Sequence, residues 1–445
     1  MEKFTAVYLP VGVGTFDMES ARAQFGASCE MLRAIDAEVI CPDKILLSPA
    51  EVSAFLEPLS PDLVILQNAT FANAAYAGEA AAKTDCPLLL WTLREPPADG
   101  GRLRLNSMTG AFSAAHMLRR SGRKPFAYVY GSAAEAADGI RAAFRAARTR
   151  FALKHLKLAQ IGHTPQGFGF GRAADEDMLR YFGVHLESAE TRQLMARAAA
   201  YSADDIAWEL ETAHGRIHGL DRISEKNRTD FARLWKAYRT YVEEEGIGAV
   251  SSRCWPDFFT DYGTPVCAVL AMLNDSGVAA GCEADAYGAL SMFIGMRLSG
   301  GPVFFGDPVS IDEAQNTFTF WHCGTAACSL AREDTGACAG VHCNRKIGPT
   351  LDFGCKAAKE ATVLRVGQGP EGAFRLFALK GEILDAPKQY TGTSAVVRVE
   401  GNVRSILERS VKDGWEPHFV VAYGDITKEL EMLAEMLRLA YCRYP

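Results

Sequence analysis

"AAGCEADAYGAL" (Ala279–Leu290) runs from small apolar residues through two carboxylates into a helical pattern. Read as a strand end, it points Glu283 and Asp285 to one face, because strand side chains alternate with period two. Downstream, Leu290, Phe293, Ile294 and Leu298 recur at helical spacing, which also makes Asp285 the N-cap of a helix. An N-cap aspartate beside an exposed glutamate needs no function. On periodicity alone, capping and catalysis are both open.

Working outward, short β-like runs recur at 4–11, 37–41, 62–68, 87–93 and 126–130 with helix-like or polar segments between them. Such alternation predicts βαβ units and a parallel sheet. A second series starts at "HLKLAQIGH" (His155–His163), passes through a mostly helical region from about 175 to 245, and returns to strand character at "IGAVSSRCW". Beyond Leu351, runs such as "ATVLRV", "FRLFALKGEIL" and "SAVVRVE" alternate with Gly, Pro and Asp turns, and the tail from Asp425 carries helical spacing to the end. The expectation is an α/β protein. It has an N-terminal α/β domain (1–153), a central α/β domain with the carboxylate motif (154–350), both Rossmann-like or flavodoxin-like with parallel sheets, and a C-terminal antiparallel, β-barrel-like domain closed by a helix (351–445).

Composition limits the function. The 445 residues are 48% hydrophobic, too long a chain for one core. Lys plus Arg number 47 against 54 Asp plus Glu, and no basic block stands out, which argues against a nucleic-acid partner. No apolar stretch has membrane-spanning length, and the first residues lack the long apolar middle of a secretory signal, so a cytoplasmic protein without a membrane partner is expected. Twelve cysteines in such a chain read as buried thiols, metal ligands or reactive groups rather than a disulfide framework.

Several motifs carry no chemistry. "GVGTFD" (Gly12–Asp17) has Asp17 where a dinucleotide fingerprint needs its third glycine. "GQGPEG" (Gly367–Gly372) meets the glycine spacing but precedes a strand, which makes it a hairpin turn. The run His322–Cys343 contains Cys323, Cys328, Cys338 and Cys343 at spacings looser than zinc knuckles, so no structural zinc is expected there.

Four apolar runs in the second half end on useful side chains. "IGAVSSRCW" stops at Arg253, Cys254 and Trp255, "VAAGCEAD" at Glu283 and Asp285, "PVFFGD" at Asp307, and "FTFWHC" at His322. Ligands gather at the carboxyl ends of parallel strands, so neighbouring strands here would build one pocket. Trp255 could stack on the face of a sugar ring, and Arg253 could grip a hydroxyl or an anionic group.

"CEADAYGALSMFIGMRLSGGPVFFGD", followed by "FTFWHCGTAACSLA", "LDFGCKAAKEATVLRV" and "PHFVVAYGD", resembles the L-fucose isomerase and L-arabinose isomerase superfamily, in particular its shorter fucose-isomerase-like branch. The resemblance covers roughly Ser251 to the C-terminus. It implies a homo-oligomeric aldose–ketose isomerase for a free or modified monosaccharide, with a divalent metal, usually manganese, held by carboxylates and a late histidine. Carried over, the metal carboxylate is Asp285 with Glu283 beside it, and the late histidine is His418. His322 takes the place of a histidine that approaches the metal, and His322 and Asp307 join Arg253 and Trp255 as substrate-binding candidates. The chemistry agrees, since moving a carbonyl from C1 to C2 needs a carboxylate base and an electrophile for the enediolate oxygens.

There is one departure from the family pattern. The family supplies a glutamate from the helix upstream of the Asp285 motif, and here "TPVCAVLAML" offers Cys267. Asp285, Glu283, Asp261 and Cys267 are therefore the candidates for proton transfer. Two alternatives remain: a sugar-binding protein of the same fold without turnover, and a related metal-assisted sugar epimerase or lyase.

Overall fold

The computed structural model describes residues 3–122 and 125–445. The chain divides into two compact units, one of Met1–Ala152 with Lys428–Arg438, the other of Leu153–Thr427 with Leu439–Pro445.

In the first unit, β1 (Ala6–Val11), β2 (Leu63–Asn68), β3 (Leu88–Thr92) and β4 (Phe126–Tyr130) form a parallel sheet in that order. The first three are buried along their whole length, which is why they read as continuous apolar runs and not as alternating ones. The run at 37–41 makes only an isolated parallel bridge, Ile40 with Val7. The "GVGTFD" turn ends on Asp17, which caps helix Met18–Ile35 by accepting from the Glu19 and Ser20 amides.

The second unit holds two sheets. The parallel one has the order β6 (His185–Ala189), β5 (Lys157–Ile161), β7 (Ala249–Ser252), β8 (Ala279–Cys282). The other contains β9 (Phe304–Asp312), β10 (Thr317–His322), β13 (Phe353–Gly354), β14 (Ala358–Gln368), β15 (Phe374–Ile383), β16 (Thr393–Val399), β17 (Phe419–Tyr423) and β18 (Ala440–Tyr444). Between them in the chain, β11 (Ala339–Gly340) and β12 (Thr350–Leu351) pair separately.

This second sheet corrects two expectations. It is mixed, because β15–β18 and β13–β16 are parallel pairings, and it recruits β9 and β10 from before residue 351. The strands run in the order β16, β10, β9, β17, β14, β15, and β15 pairs back to β16, so these six form a cycle of pairings. The tail also does not end as a helix. Helix Thr427–Leu437 stops at Arg438, whose φ of 60° breaks the helical repeat, and "AYCRY" then adds as β18 beside β15. The "GQGPEG" segment is the β14–β15 hairpin, closed by Gly369 N–H on the Ala373 carbonyl.

Helix Ala286–Ser299 positions the site. It is apolar and buried nearly all round because it packs on both sheets, against β7 and β8 on one and β14 and β17 on the other. Its N-terminus, at Asp285, therefore faces the mixed sheet. Among the described residues no helix is long and apolar enough to cross a membrane.

Candidate metal centre

The turn after β8 decides where the acids point. The strand ends at Cys282, and Glu283 and Ala284 both take left-handed conformations, with φ of 60° and 53°. Period-two alternation therefore does not reach Asp285, which corrects the expectation that strand pleat sets both carboxylates on one face. Left-handed geometry in two successive non-glycine residues is costly and persists only when the surroundings enforce it.

Asp285 does cap the helix, since Oδ1 accepts from Gly288 N at 2.8 Å. It does much more. The buried Arg365 on β14 grips the carboxylate with two parallel bonds, Nη1 to Oδ2 at 2.6 Å and Nη2 to Oδ1 at 3.0 Å. His418 Nδ1 makes a fourth bond, to Oδ2 at 2.9 Å. Arg365 and Asp285 are 0% and 1% exposed. Burial alone would raise the Asp285 pKa, but the Arg365 charge and the His418 bond hold it well below the usual carboxylate range. Glycine is required on both sides: a Cβ at Gly288 would meet Asp285 Oδ2 at 2.6 Å, and one at Gly171 would meet the Asp285 Cα at 2.7 Å.

With Nδ1 held by Asp285, the other ring nitrogen of His418 faces Glu283 Oε2 at 3.0 Å and Asp307 Oδ1 at 3.5 Å. Register explains the meeting. β9 and β17 pair up to Gly306 with Phe419, so Asp307 and His418 are the next residues on adjoining strands. Glu283 is held in turn by Trp255, whose Nε1–H donates to Oε1 at 3.1 Å. Burial would lower the His418 pKa, but the bonds to Asp285 and Glu283 and the charges around it raise it to about 10. For Asp307 burial prevails and the carboxyl is raised.

One ligand atom each from Glu283, His322 and His418 lies within 4.8 Å of the others, a group that could hold a metal ion. His322 ends β10, and its Nδ1 rests 3.4 Å from Cys323 Sγ. Phe305 and Phe170 pack on the His418 ring at centroid distances of 4.8 and 5.4 Å. Glu283, Asp307, His322 and Trp255 line a cleft of about 270 Å³.

Thus the four strand tips meet, though not as neighbours in one sheet. β7 and β8 adjoin in the parallel sheet, while β9 and β10 adjoin in the mixed one and β9 runs on past Asp307. Other candidates lie elsewhere. Arg253 donates from Nε to the Trp255 carbonyl and pairs with Asp257 at 3.5 Å. Asp261 is exposed and accepts from Thr260. Cys267 is fully buried, and its free thiol lies within hydrogen-bond reach of the Cys323 thiol, in a row of thiols that continues through Cys282 to Cys254. In the His322–Cys343 run, Cys328 faces Met272 and Cys338 donates to the Thr335 carbonyl, while Cys343 lines the cleft with Cys323.

Sequence reasoning missed Arg365, although a lone arginine inside the apolar "ATVLRV" strand signals a buried partner. It also missed Phe168, Phe170 and Gly171 in "GFGFG", where no helical or strand period marks the segment.

The fold and site thus define an α/β protein with a buried carboxylate–imidazole centre at the junction of a parallel and a mixed sheet. No protein-family profile matches the chain. It is 57% identical over 441 residues, 99% of both chains, to a sulfoquinovose isomerase of Clostridium sp. (strain MSTE9). It is 38% identical over 445 residues to that of Priestia megaterium, again 99% of both chains, and 37% identical over 440 residues to that of Alkalicoccus urumqiensis, 98% of each. The chain belongs to the family of these sulfoquinovose isomerases.

Proposed function

We propose that the protein is a metal-dependent aldose–ketose isomerase acting on a sulfonated monosaccharide, sulfoquinovose, the 6-deoxy-6-sulfo form of glucose. The observation that carries this reading is the near-full-length relation to sulfoquinovose isomerases. The convergence of Glu283, His322 and His418 supports the metal.

The donor set fits a divalent cation. His418 Nε2 is already shared by two carboxylates, so the protein presents a cation-seeking pocket of oxygen and imidazole ligands, compatible with manganese. Glu283, His322 and His418 would hold it, with Asp307 adjoining. When bound, such an ion acts as a Lewis acid toward the substrate's carbonyl and neighbouring hydroxyl oxygens.

The chain's own residues supply the rest. Asp285 is a positioning residue: by accepting from His418 Nδ1 it keeps a proton on that nitrogen, so that Nε2 is the atom that would offer a lone pair toward the cleft once a cation displaces its proton. Arg365 keeps Asp285 ionised for that task. Isomerisation transfers the C2 proton to C1 and the O2 proton to O1 with no net oxidation. A carboxylate oxygen of Glu283 or Asp307 takes the C2 proton and returns it to C1. Trp255 fixes the Glu283 carboxylate, and Phe170 and Phe305 shield the His418 side from water.

The test is conversion of sulfoquinovose to its ketose by protein stripped with chelator and reloaded with manganese, run in heavy water. Deuterium entering the product at C1, metal-dependent rates and loss of bound manganese in Glu283→Gln and His418→Ala support the assignment. Full activity after chelation, or no exchange of any sulfonated aldose, refutes it.

A further inference from the structure

Beyond its carboxylates and imidazoles, the cleft carries one Lys or Arg among its described lining residues, Arg345. An anionic sugar entering a cleft lined by Glu283 and Asp307 must have its charge met by a cation. Arg345 is half-buried, and among the described residues no carboxylate lies within ion-pairing distance of it. The two acids of the cleft turn to His418 instead.

What holds Arg345 leaves its donors free. The guanidinium carbon lies 4.8 Å from the Phe259 ring centre and 5.4 Å from that of Trp255. Contact with an aromatic face uses the cation's charge and flat surface and spends none of its five N–H groups. The backbone is pinned as well. The buried His342 accepts from the Asn344 and Arg345 amides through Nδ1, at 3.3 and 3.4 Å. Those amides can only donate, so the His342 proton sits on Nε2. His342 in turn packs edge-on against Phe259, with centroids 4.9 Å apart. Arg345 is thus a preorganised, unspent guanidinium fork, and Asn344 beside it adds an amide to the same wall of the cleft.

We propose that Arg345, assisted by Asn344, is the subsite that binds the sulfonate of the substrate and determines specificity for it. This rests on the sulfonated-sugar reading above. A sulfonate is ionised at every physiological pH and offers its oxygens in the geometry a guanidinium fork bonds in pairs. The Trp255 indole then serves both ends of the reaction: its N–H positions Glu283 and its face carries Arg345. A neutral hexose leaves Arg345 without a partner, so discrimination arises from both attraction and an unmet charge.

The experiment compares wild type, Arg345→Ala and Arg345→Lys on sulfoquinovose and on 6-deoxyglucose, its counterpart without the sulfonate, with bound manganese measured throughout. Arg345→Ala should lower kcat/KM for sulfoquinovose about 100-fold, with Arg345→Lys intermediate, while the rate on 6-deoxyglucose changes by less than about threefold. Thermal protection by the alditol of sulfoquinovose, which cannot isomerise, should vanish in Arg345→Ala, and manganese content should stay at the wild-type level. Equal losses on both sugars would reduce Arg345 to a packing role on Trp255 and overturn the proposal. So would an Arg345→Ala enzyme that keeps its sulfoquinovose rate, or a glucose 6-phosphate preferred to the sulfonate with the same Arg345 dependence. A wild type that neither binds nor converts sulfoquinovose overturns the functional reading together with this one. A wild type that does, with Arg345→Lys and Arg345→Ala unaffected, overturns this one alone.

Discussion

Replacing Asp285 by Asn separates its three roles. As a helix cap the amide is nearly equivalent to the carboxylate, because its oxygen can still accept from Gly288 N. If capping were all, stability would barely move. But Arg365 is fully buried, and its guanidinium loses its counter-charge. Stranding a buried ion this way costs on the order of 3–5 kcal/mol. Substituting Arg365→Met in the same chain removes the stranded charge, and replacing a whole buried pair by apolar volume is often neutral. The double variant should therefore recover at least half of the stability lost. Activity should not recover with it. If the amide oxygen stays on Gly288, its NH2 faces His418 Nδ1, which must then present a lone pair, so the imidazole proton moves to Nε2 and blocks the side facing Glu283 and Asp307. Denaturant unfolding followed by tryptophan fluorescence, bound manganese after gel filtration, and isomerase rate read the three roles independently. The reasoning is refuted by a single variant that loses less than about 1 kcal/mol, the scale of a cap alone, or by a double variant that regains manganese and turnover.

Gly171→Ala places a Cβ 2.7 Å from the Asp285 backbone, which cannot yield as a side chain tip would, so stability should fall by about 1–3 kcal/mol and manganese affinity with it. Trp255→Phe deletes the N–H that fixes Glu283, and kcat should drop by about tenfold or more with manganese content retained, measured on the metal-loaded enzyme. In the metal-free protein the pKa of His418 is raised to about 10, above an unfolded value of about 6.5. Its contribution to stability is therefore fully present below about pH 6.5 and lost as pH rises toward 10. Chelated wild type should lose stability across that window more steeply than His418→Gln, and parallel urea midpoints against pH would disprove the coupling.

Much of the fold was legible because burial on both faces writes itself as apolar runs. The strands at 6–11, 63–68 and 88–92 are buried end to end and were found within two residues. β6 was not, since "HLESA" has no buried residue and carries neither period. The parallel pairings that make the C-terminal sheet mixed depend on residues far apart, such as Arg375 beside Ala440, and no local pattern announces them. In the site, Glu283, Asp307 and His322 were legible because each follows or ends an apolar run, whereas His418 precedes one and was reached through the family resemblance. The thiol row formed behind them, yet Asp261 and Arg253, equally prominent in sequence, turned to partners of their own.

Asp285 shows why capping and chemistry were not competing explanations. A cap needs an acceptor at the helix N-terminus, and a buried helix there also delivers partial positive charge, which favours an ionised carboxylate. Once the carboxylate is ionised and buried, it demands a cation, and β14 supplies Arg365 across the mixed sheet. Oδ1 then serves Gly288 and Arg365, while Oδ2 serves Arg365 and still faces His418. The residue with the strongest structural demands is thus the one able to hold an imidazole in a single orientation. Glu283, with Trp255 and His418 on its oxygens, is an acid placed to meet a metal or a proton in the cleft.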